Sequence, residues 1–165
     1  MNKIILLLII AFTTGCEVES QKVYRHIGDI EKNNTDAEDF KTCHNEKHII
    51  QYFNDSKGLS YLGEKPEIET KFKKEFIPSK KKNQNGYIRI RFVVNCKGET
   101  GRFRVLESDN DYKKKIFDSE ITKQLLEITK KLDAWEIKLI RNKERDYYQY
   151  LIFKIVNGNI KEILP

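Results

Sequence analysis

An alternation of apolar and charged side chains around Arg89 and Arg91, within residues 87–95, constrains the fold of this chain more than any other feature. Arg89 and Arg91 alternate with four apolar residues, Ile88, Ile90, Phe92 and Val94. Because successive side chains of a β-strand point to opposite faces, this pattern predicts a half-buried strand. Residues 96–99 form a polar turn, so a second strand over residues 100–106 is expected to pair back on it. The sequence therefore predicts an antiparallel sheet.

One helical pattern lies on each side of this hairpin. In the pattern that follows the hairpin, apolar side chains recur at spacings of four and three residues from Ile121 to Trp135. That spacing predicts a helix that begins after Asp118 and carries one apolar stripe. A shorter helix is predicted earlier, between two prolines that favour its first turn and its end, by the four-residue spacing of Ile68, Phe72 and Phe76.

The last third of the chain predicts two more strands. Residues 147–156 are rich in aromatic and branched side chains, which are typical of strands. Asn157-Gly158 is a strong hairpin signal and predicts a final strand over residues 159–164. The order strand, strand, helix, strand, strand predicts an α+β fold, with one main helix packed on one face of an antiparallel sheet and a short helical segment before it.

The first residues have the pattern of a secretory signal. Met1-Asn2-Lys3 is followed by an apolar run over residues 4–12, which is shorter than the roughly 20 residues needed to cross a bilayer. Gly15-Cys16 resembles the lipobox of bacterial lipoproteins, in which the cysteine is lipidated after cleavage. We expect residues 1–15 to be a signal peptide and Cys16 to carry the lipid, which implies a cell-envelope location, periplasmic or outer membrane. An ordinary secretory signal is the alternative.

Composition shifts near residue 40 and divides the rest of the chain. Residues 16–40 are polar and predict a flexible tether, whereas residues 41–165 predict a single domain with its core in residues 60–165. With Cys16 lipidated, Cys43 and Cys96 remain, and an even pair in an oxidising compartment predicts a disulfide. Two reduced thiols are the alternative. The net charge of +6 comes without the arginine and aromatic clusters typical of nucleic-acid binding.

The ordered segments from about residue 60 resemble the C-terminal domain of TonB and its lipoprotein relatives. The resemblance is carried by four pieces: the glycine-led strand at residues 86–95 with Lys97-Gly98 after it, the strand end at residues 105–108, the helix closing on Trp135, and residues 150–153. TonB proper also has a membrane helix and a Pro-rich spacer, which this sequence lacks. The resemblance thus implies a fold and not energy transduction.

TonB-type domains bind a peptide as an added strand at a sheet edge, which by analogy lies here beside residues 147–156. Tyrosine is favoured at interfaces, so the candidate contact residues for another envelope protein are Tyr147, Tyr148, Tyr150 and Ile152. The Asn157-Gly158 hairpin would also lay the tail along this strand, so that the chain covers its own edge. A partner would then have to displace the tail or use the other edge of the sheet.

Catalytic and metal-binding motifs are weak in this sequence. Cys43, His44 and His48 form a possible ligand cluster, but zinc needs three or four ligands, and a disulfide with two surface histidines is the favoured interpretation. No nucleophile elbow, phosphate loop or His-Glu-x-x-His motif is present. We therefore expect no enzyme activity and no metal or cofactor. The alternatives are a structural envelope lipoprotein and a metal-dependent accessory enzyme around that cluster.

Two basic runs, Lys80-Lys81-Lys82 and Lys113-Lys114-Lys115, lie in predicted loops. Lysines near a membrane surface are attracted to anionic lipid headgroups, so contact with lipid is one interpretation. The other is a solvated surface.

Overall fold

A computed structural model describes residues 28–51 and 59–165. Its elements in chain order are a 3₁₀ turn at Glu46–His48, α1 (Glu64–Glu75), β1 (Gly86–Val94), β2 (Thr100–Ser108), α2 (Ser119–Lys130), β3 (Lys138–Ile140), β4 (Lys143–Arg145), β5 (Tyr147–Val156) and β6 (Asn159–Leu164). Four strands form an antiparallel sheet in the order β2-β1-β5-β6, and β3 pairs with β4. The predicted α+β class with an antiparallel sheet is confirmed. The signal peptide and Cys16 lie outside the described residues.

The main core lies between the helices and one face of the sheet. The alternation in β1 places four side chains in this core, all fully buried or nearly so: Ile88, Ile90, Phe92 and Val94. α1 covers them with Ile68 and Phe72, while α2 contributes the apolar stripe that begins at Ile121. Burying each large apolar side chain stabilises the fold by roughly 1.5 to 3 kcal/mol, so this layer dominates the stability of the domain.

α2 begins after Asp118 as expected but ends at Lys130, five residues before Trp135. Trp135 instead belongs to an extended segment that forms a bridge with Tyr61. Its ring packs edge-on against the rings of Tyr61 and Phe92, with centroid distances of 4.9 and 5.2 Å. The spacing of four and three residues therefore predicted correctly that Trp135 is buried. It did not predict that the backbone at this residue is extended and no longer helical.

The tail is an integral strand of the sheet. β6 pairs with β5 from Val156↔Asn159 to Ile152↔Leu164, and Ile163 is buried in the main core. Asn157 and Gly158 both have positive φ, as a two-residue hairpin of this type requires. The tail thus covers the half of the β5 edge that begins at Ile152, as predicted.

The β3–β4 hairpin was not predicted. It joins α2 to β5 and is short and mostly exposed, with four basic residues among its eight. Arg141 and Asn142 form its turn, both with positive φ. Its few apolar residues do not produce a pattern that separates a strand from a charged loop. Within the described residues, no helix is long and apolar enough to cross a membrane.

Residues 28–51, here called the strap, pack across the other face of the sheet. Ile30 and Ile49 are buried against Val93 and Tyr148, and Phe40 packs beside them. The structure therefore differs from the predicted flexible tether over residues 28–40. It also buries both faces at the end of β1, where only one face was expected to be covered.

Arginines of the sheet hold the strap by its main chain. Arg91 donates a hydrogen bond to the carbonyl of Gly28, and Arg104 donates to the carbonyl of Glu31 at 2.6 Å. Arg104 also pairs with the carboxylate of Asp36, Nη1 to Oδ1 at 2.6 Å. Because these bonds use carbonyl groups, a polar segment with few apolar side chains can still be ordered on the sheet.

Candidate functional site

Two of the four predicted contact residues are buried inside the molecule. Tyr147 is 2% exposed in the main core, and its hydroxyl donates to the carbonyl of Glu136 at 2.8 Å. Tyr148 is 4% exposed and lies beneath the strap. Burial raises the pKa of Tyr148 above its usual range. Tyr147 and Tyr148 therefore offer no surface to a partner in this conformation, because both sheet faces are covered where β5 begins.

The other two predicted residues lie where the strap leaves the outer face of the sheet uncovered. Tyr150 and Ile152 are half-buried. The guanidinium of Arg89, on the neighbouring strand β1, lies over the Tyr150 ring at 4.2 Å from its centroid. Arg89 pairs directly with Ile152 across the two strands. The accessible part of the predicted tyrosine cluster is thus joined to Arg89.

A small groove occupies this uncovered half of the outer face. Its cavity of about 150 Å³, here called the open groove, is lined by Tyr87, Arg89, Leu106, Ser108, Tyr112, Ile152 and Leu164. Tyr112 comes from the loop after β2 and stacks on Tyr87, with ring centroids 5.3 Å apart and planes 9° from parallel. Pockets for drug-sized ligands measure roughly 300 to 1,000 Å³, so this groove has room for about one apolar side chain.

Arg89 gives the open groove its polar character. Its Nε atom is buried and has no hydrogen-bond partner among the described residues. Burial lowers the pKa of Arg89, the nearby Tyr150 raises it, and the charge of Arg91 lowers it again. An arginine still remains charged at neutral pH, and a buried donor without a partner costs roughly 1 to 3 kcal/mol.

No family model, curated protein or solved structure matches this chain. Its function is therefore inferred from the local chemistry of the described residues.

Sequence reasoning missed most of the open groove, although one signal for it was present. The alternation in β1 placed Tyr87 and Arg89 on the face away from the core, and an aromatic residue on an outward face is a contact candidate. Tyr112 carried no such signal, because it lies in a charged loop between Asp111 and Lys113. Only the folded loop shows that its ring returns to the sheet.

The predicted disulfide between Cys43 and Cys96 is present and ties the strap to the β1–β2 turn, with the Cα atoms 5.9 Å apart. Beside it lies the fully buried carboxylate of Asp146, which accepts hydrogen bonds from the backbone N–H groups of Cys43, His44 and Cys96 at 3.0, 2.9 and 3.0 Å. Three donors compensate the loss of water around a buried charge. We call this arrangement the Asp146 node, and it joins three distant segments.

The candidate metal cluster of Cys43, His44 and His48 lies partly within the Asp146 node. Among the described residues, one group of three potential ligands approaches closely, namely Cys43, Cys96 and Asp146. Both sulfurs are bonded to each other, whereas a cysteine binds metal as a free thiolate. His44 Nδ1 lies 3.4 Å from Asp146, and His48 is exposed in the 3₁₀ turn. The arrangement therefore does not bring Cys43, His44 and His48 together as a ligand set.

A larger cleft of about 710 Å³ lies between the strap, β2 and α2. Its lining contains no cysteine or histidine among the described residues. Two of its charged side chains already have partners, since Asp36 is paired with Arg104 and Arg102 with Glu46. The hydrogen bond from Arg104 holds the pKa of Asp36 below its usual range, so this carboxylate stays charged and is not suited to act as a general acid.

Proposed function

We propose that this chain is a lipid-anchored protein of the bacterial cell envelope whose TonB-like α+β domain binds another envelope protein, without energy transduction. The lipobox-like Gly15-Cys16 supports the anchor, and the order of the strands and helices supports the likeness to TonB. The observation that carries the binding role is the open groove itself, an apolar cavity on the uncovered sheet face with Arg89 in its lining and the stacked rings of Tyr87 and Tyr112 beside it. Tyrosine and arginine are the residue types enriched at protein contact surfaces.

The chemistry of the open groove defines the partner segment. The cavity has room for one apolar side chain, and the aromatic rings of Tyr87 and Tyr112 form one wall for it. The guanidinium of Arg89 in the lining favours a hydrogen-bond acceptor next to that side chain, and a carboxylate gives the strongest such bond. The net charge of +6 favours the approach of an acidic segment. The partner therefore presents an aliphatic or aromatic residue next to an acidic one.

This docking mode differs from the strand addition that the TonB resemblance implies. β6 already pairs with β5 from Ile152 onward, and Ile163 is buried in the core. Displacing the tail would expose Ile163 and the core residues beneath it, at a cost of several kcal/mol. Docking on the uncovered face requires no such opening, so we place the partner there.

A photocrosslinking experiment in intact cells tests this proposal. Tyr112, which is 71% exposed, is replaced by p-benzoylphenylalanine, and crosslinked proteins are identified by mass spectrometry. Leu139, which is 63% exposed on β3, is the matched control position. The crosslinking at position 112 is then repeated with Arg89→Gln, after thermal unfolding has established that this variant folds.

The proposal predicts one envelope protein crosslinked from position 112, absent from position 139 and strongly reduced by Arg89→Gln. Equal crosslinking from both positions, or crosslinking that survives Arg89→Gln in a folded protein, would contradict it. Either result would favour a structural lipoprotein without a discrete partner site.

A further inference from the structure

The two lysine runs, far apart in the sequence, meet at one end of the sheet. Lys115 donates from Nζ to the carbonyls of Asn83 and Asn85 at 2.9 and 2.7 Å. Lys81 pairs with the carboxylate of Asp118 at 2.7 Å, and the backbone N–H of Asp118 bonds to the side chain of Gln84 at 2.8 Å. These bonds hold the loops at residues 77–85 and 109–118 together. We call this surface the basic end.

Asp118 has a role here that the sequence did not indicate. It lies directly before α2, and its side chain accepts from Lys81 and from the hydroxyl of Ser79, both at 2.7 Å. These bonds hold the pKa of Asp118 below its usual range. The carboxylate therefore neutralises one lysine and fixes the loop that carries the others.

Most of the positive charge of the basic end remains available. Four lysines are exposed and have no ion pair in the described part of the chain: Lys80, Lys82, Lys113 and Lys114. The acidic residues of the two loops are Asp109, Asp111 and Asp118, and Asp109 is occupied with backbone N–H groups of its own loop. The adjacent Glu107 accepts from the N–H of Phe117 and from the hydroxyl of Thr122. Six lysines against three aspartates leave the two loops with a clear positive excess.

Apolar side chains project beside these lysines. Ile116 follows the second lysine run directly and is 82% exposed, and Ile77 in the first loop is 71% exposed. Single exposed aliphatic residues are common on protein surfaces, and what distinguishes Ile77 and Ile116 is that they lie on the same loops as these lysines. The same combination suits a membrane surface, where cations bind headgroups and apolar side chains enter the boundary of the acyl chains.

We propose that the basic end is a membrane-contact surface that binds anionic phospholipid headgroups through Lys80, Lys82, Lys113 and Lys114, with Ile77 and Ile116 entering the bilayer interface. The β3–β4 hairpin is the other basic element with exposed apolar residues. Its excess of positive charge is similar, although Leu139 lies opposite the acidic Glu144 there, so the control variant below removes two of its charges. The inference goes beyond the proposed partner binding and does not require lipid on Cys16.

Vesicle binding of the full chain tests this inference. Partition is measured into vesicles of phosphatidylcholine alone and into vesicles of phosphatidylcholine mixed with an equal amount of phosphatidylglycerol. The ratio of the two partition coefficients is the readout, because residues 1–27 are common to all variants and any binding through them is shared. The test variant replaces the four exposed lysines by glutamine, Lys80→Gln, Lys82→Gln, Lys113→Gln and Lys114→Gln.

The matched control removes the same charge from other surfaces, with Lys73→Gln and Lys74→Gln on α1 and Arg141→Gln and Lys143→Gln on the hairpin. At about fivefold per basic residue near an anionic surface, loss of all four lysines should lower the ratio by up to about 600-fold, and contact by only two of them still gives about 25-fold. The control should lower it far less. Equal losses for the two variants, or a wild-type ratio near unity, overturn the inference.

A second comparison tests the apolar contact. Ile116→Ser should lower partition into the mixed vesicles several-fold, whereas Leu62→Ser, at a position that is 72% exposed on another surface, should leave it unchanged. Equal effects of the two changes would contradict insertion of Ile116. Neither vesicle result depends on the crosslinking at position 112, so the two proposals can fail separately.

Discussion

The carboxylate of Asp146 accepts a hydrogen bond of 3.0 Å from the backbone N–H of Cys43, a residue 103 positions earlier in the chain. The same oxygen accepts from the N–H of Cys96, also at 3.0 Å. Asp146 therefore binds both ends of the disulfide through their main chain, next to the covalent bond itself. Two independent links thus hold the strap at one point, and they can be tested separately.

Asp146→Asn removes the charge of the node and keeps its shape. We expect the free energy of unfolding to fall by about 2 to 4 kcal/mol, because an amide keeps only one acceptor oxygen and its NH2 group must face either the N–H of His44 or the N–H groups of Cys43 and Cys96. Urea unfolding followed by circular dichroism measures the change. Asp133→Asn is the control, since that side chain is 84% exposed and should cost less than about 0.5 kcal/mol. Similar losses of unfolding free energy in both variants would show that the Asp146 node stabilises the fold no more than an exposed carboxylate does.

We expect the disulfide to stabilise the protein mainly by lowering the conformational entropy of the unfolded chain. It joins residues 53 positions apart, and closing a loop of that size stabilises by roughly 3 to 4 kcal/mol in the chain-entropy model. Cys43→Ser/Cys96→Ser should therefore unfold at lower urea, while the Asp146 node keeps the strap docked. Wild type treated with dithiothreitol should match the double variant. A loss below about 1 kcal/mol, with both thiols shown to be free, would contradict this expectation.

Gly101 leaves space for the ring of Phe40, which lies so close that a Cβ atom at position 101 would overlap it. We expect Gly101→Ala to destabilise the protein by about 1 to 3 kcal/mol through displacement of Phe40. In Phe40→Ala/Gly101→Ala the overlap is gone, so the double variant should lose less than the sum of the single losses. Urea unfolding of all four proteins completes the cycle. If the two single losses of unfolding free energy add up to the loss in the double variant, then Phe40 of the strap and residue 101 of β2 do not interact.

The ion pair between Asp36 and Arg104 makes the strap sensitive to acid. The pKa of Asp36 is lower in the folded than in the unfolded chain, because Arg104 bonds to its charged form. Its contribution, about 2 kcal/mol, is complete above the unfolded-state pKa and is lost as the pH falls through the folded-state pKa. The difference in unfolding free energy between wild type and Asp36→Asn should therefore shrink towards low pH. Asp39→Asn, an exposed neighbour, controls for the change in charge.

The four strands of the main sheet could be predicted because each carries its own signal. The alternation around Arg89, the aromatic run that begins at Tyr147 and the turn at Asn157-Gly158 are local patterns, and the strands form where those patterns lie. The end of α2 could not be predicted, because the spacing reports which residues are buried and not whether their backbone is helical. Trp135 satisfies the spacing from an extended segment.

The strap and the open groove could not be predicted because they depend on contacts between distant residues. Ile30 lies among polar residues in the sequence, so no local pattern predicts that it is buried. Nothing in residues 28–40 indicates that Arg91 and Arg104 will bind the carbonyl groups of this segment. The open groove in turn exists only because the strap covers one half of the sheet face and leaves the other. The prediction of a flexible tether also concealed the burial of Tyr148, which lies beneath the strap, whereas Tyr147 is buried in the main core on the other face of the sheet.

The strap also limits how far the N-terminal side of this protein can be shortened for expression. A fragment cut at residue 60 retains every strand of the sheet and nearly the whole of its main core. It would nevertheless expose Val93 and Tyr148, strip two of the three donors from Asp146 and leave Cys96 as a free thiol. Such a fragment would be prone to self-association and oxidative dimers, and its behaviour on a gel-filtration column would misrepresent the oligomeric state of the intact protein.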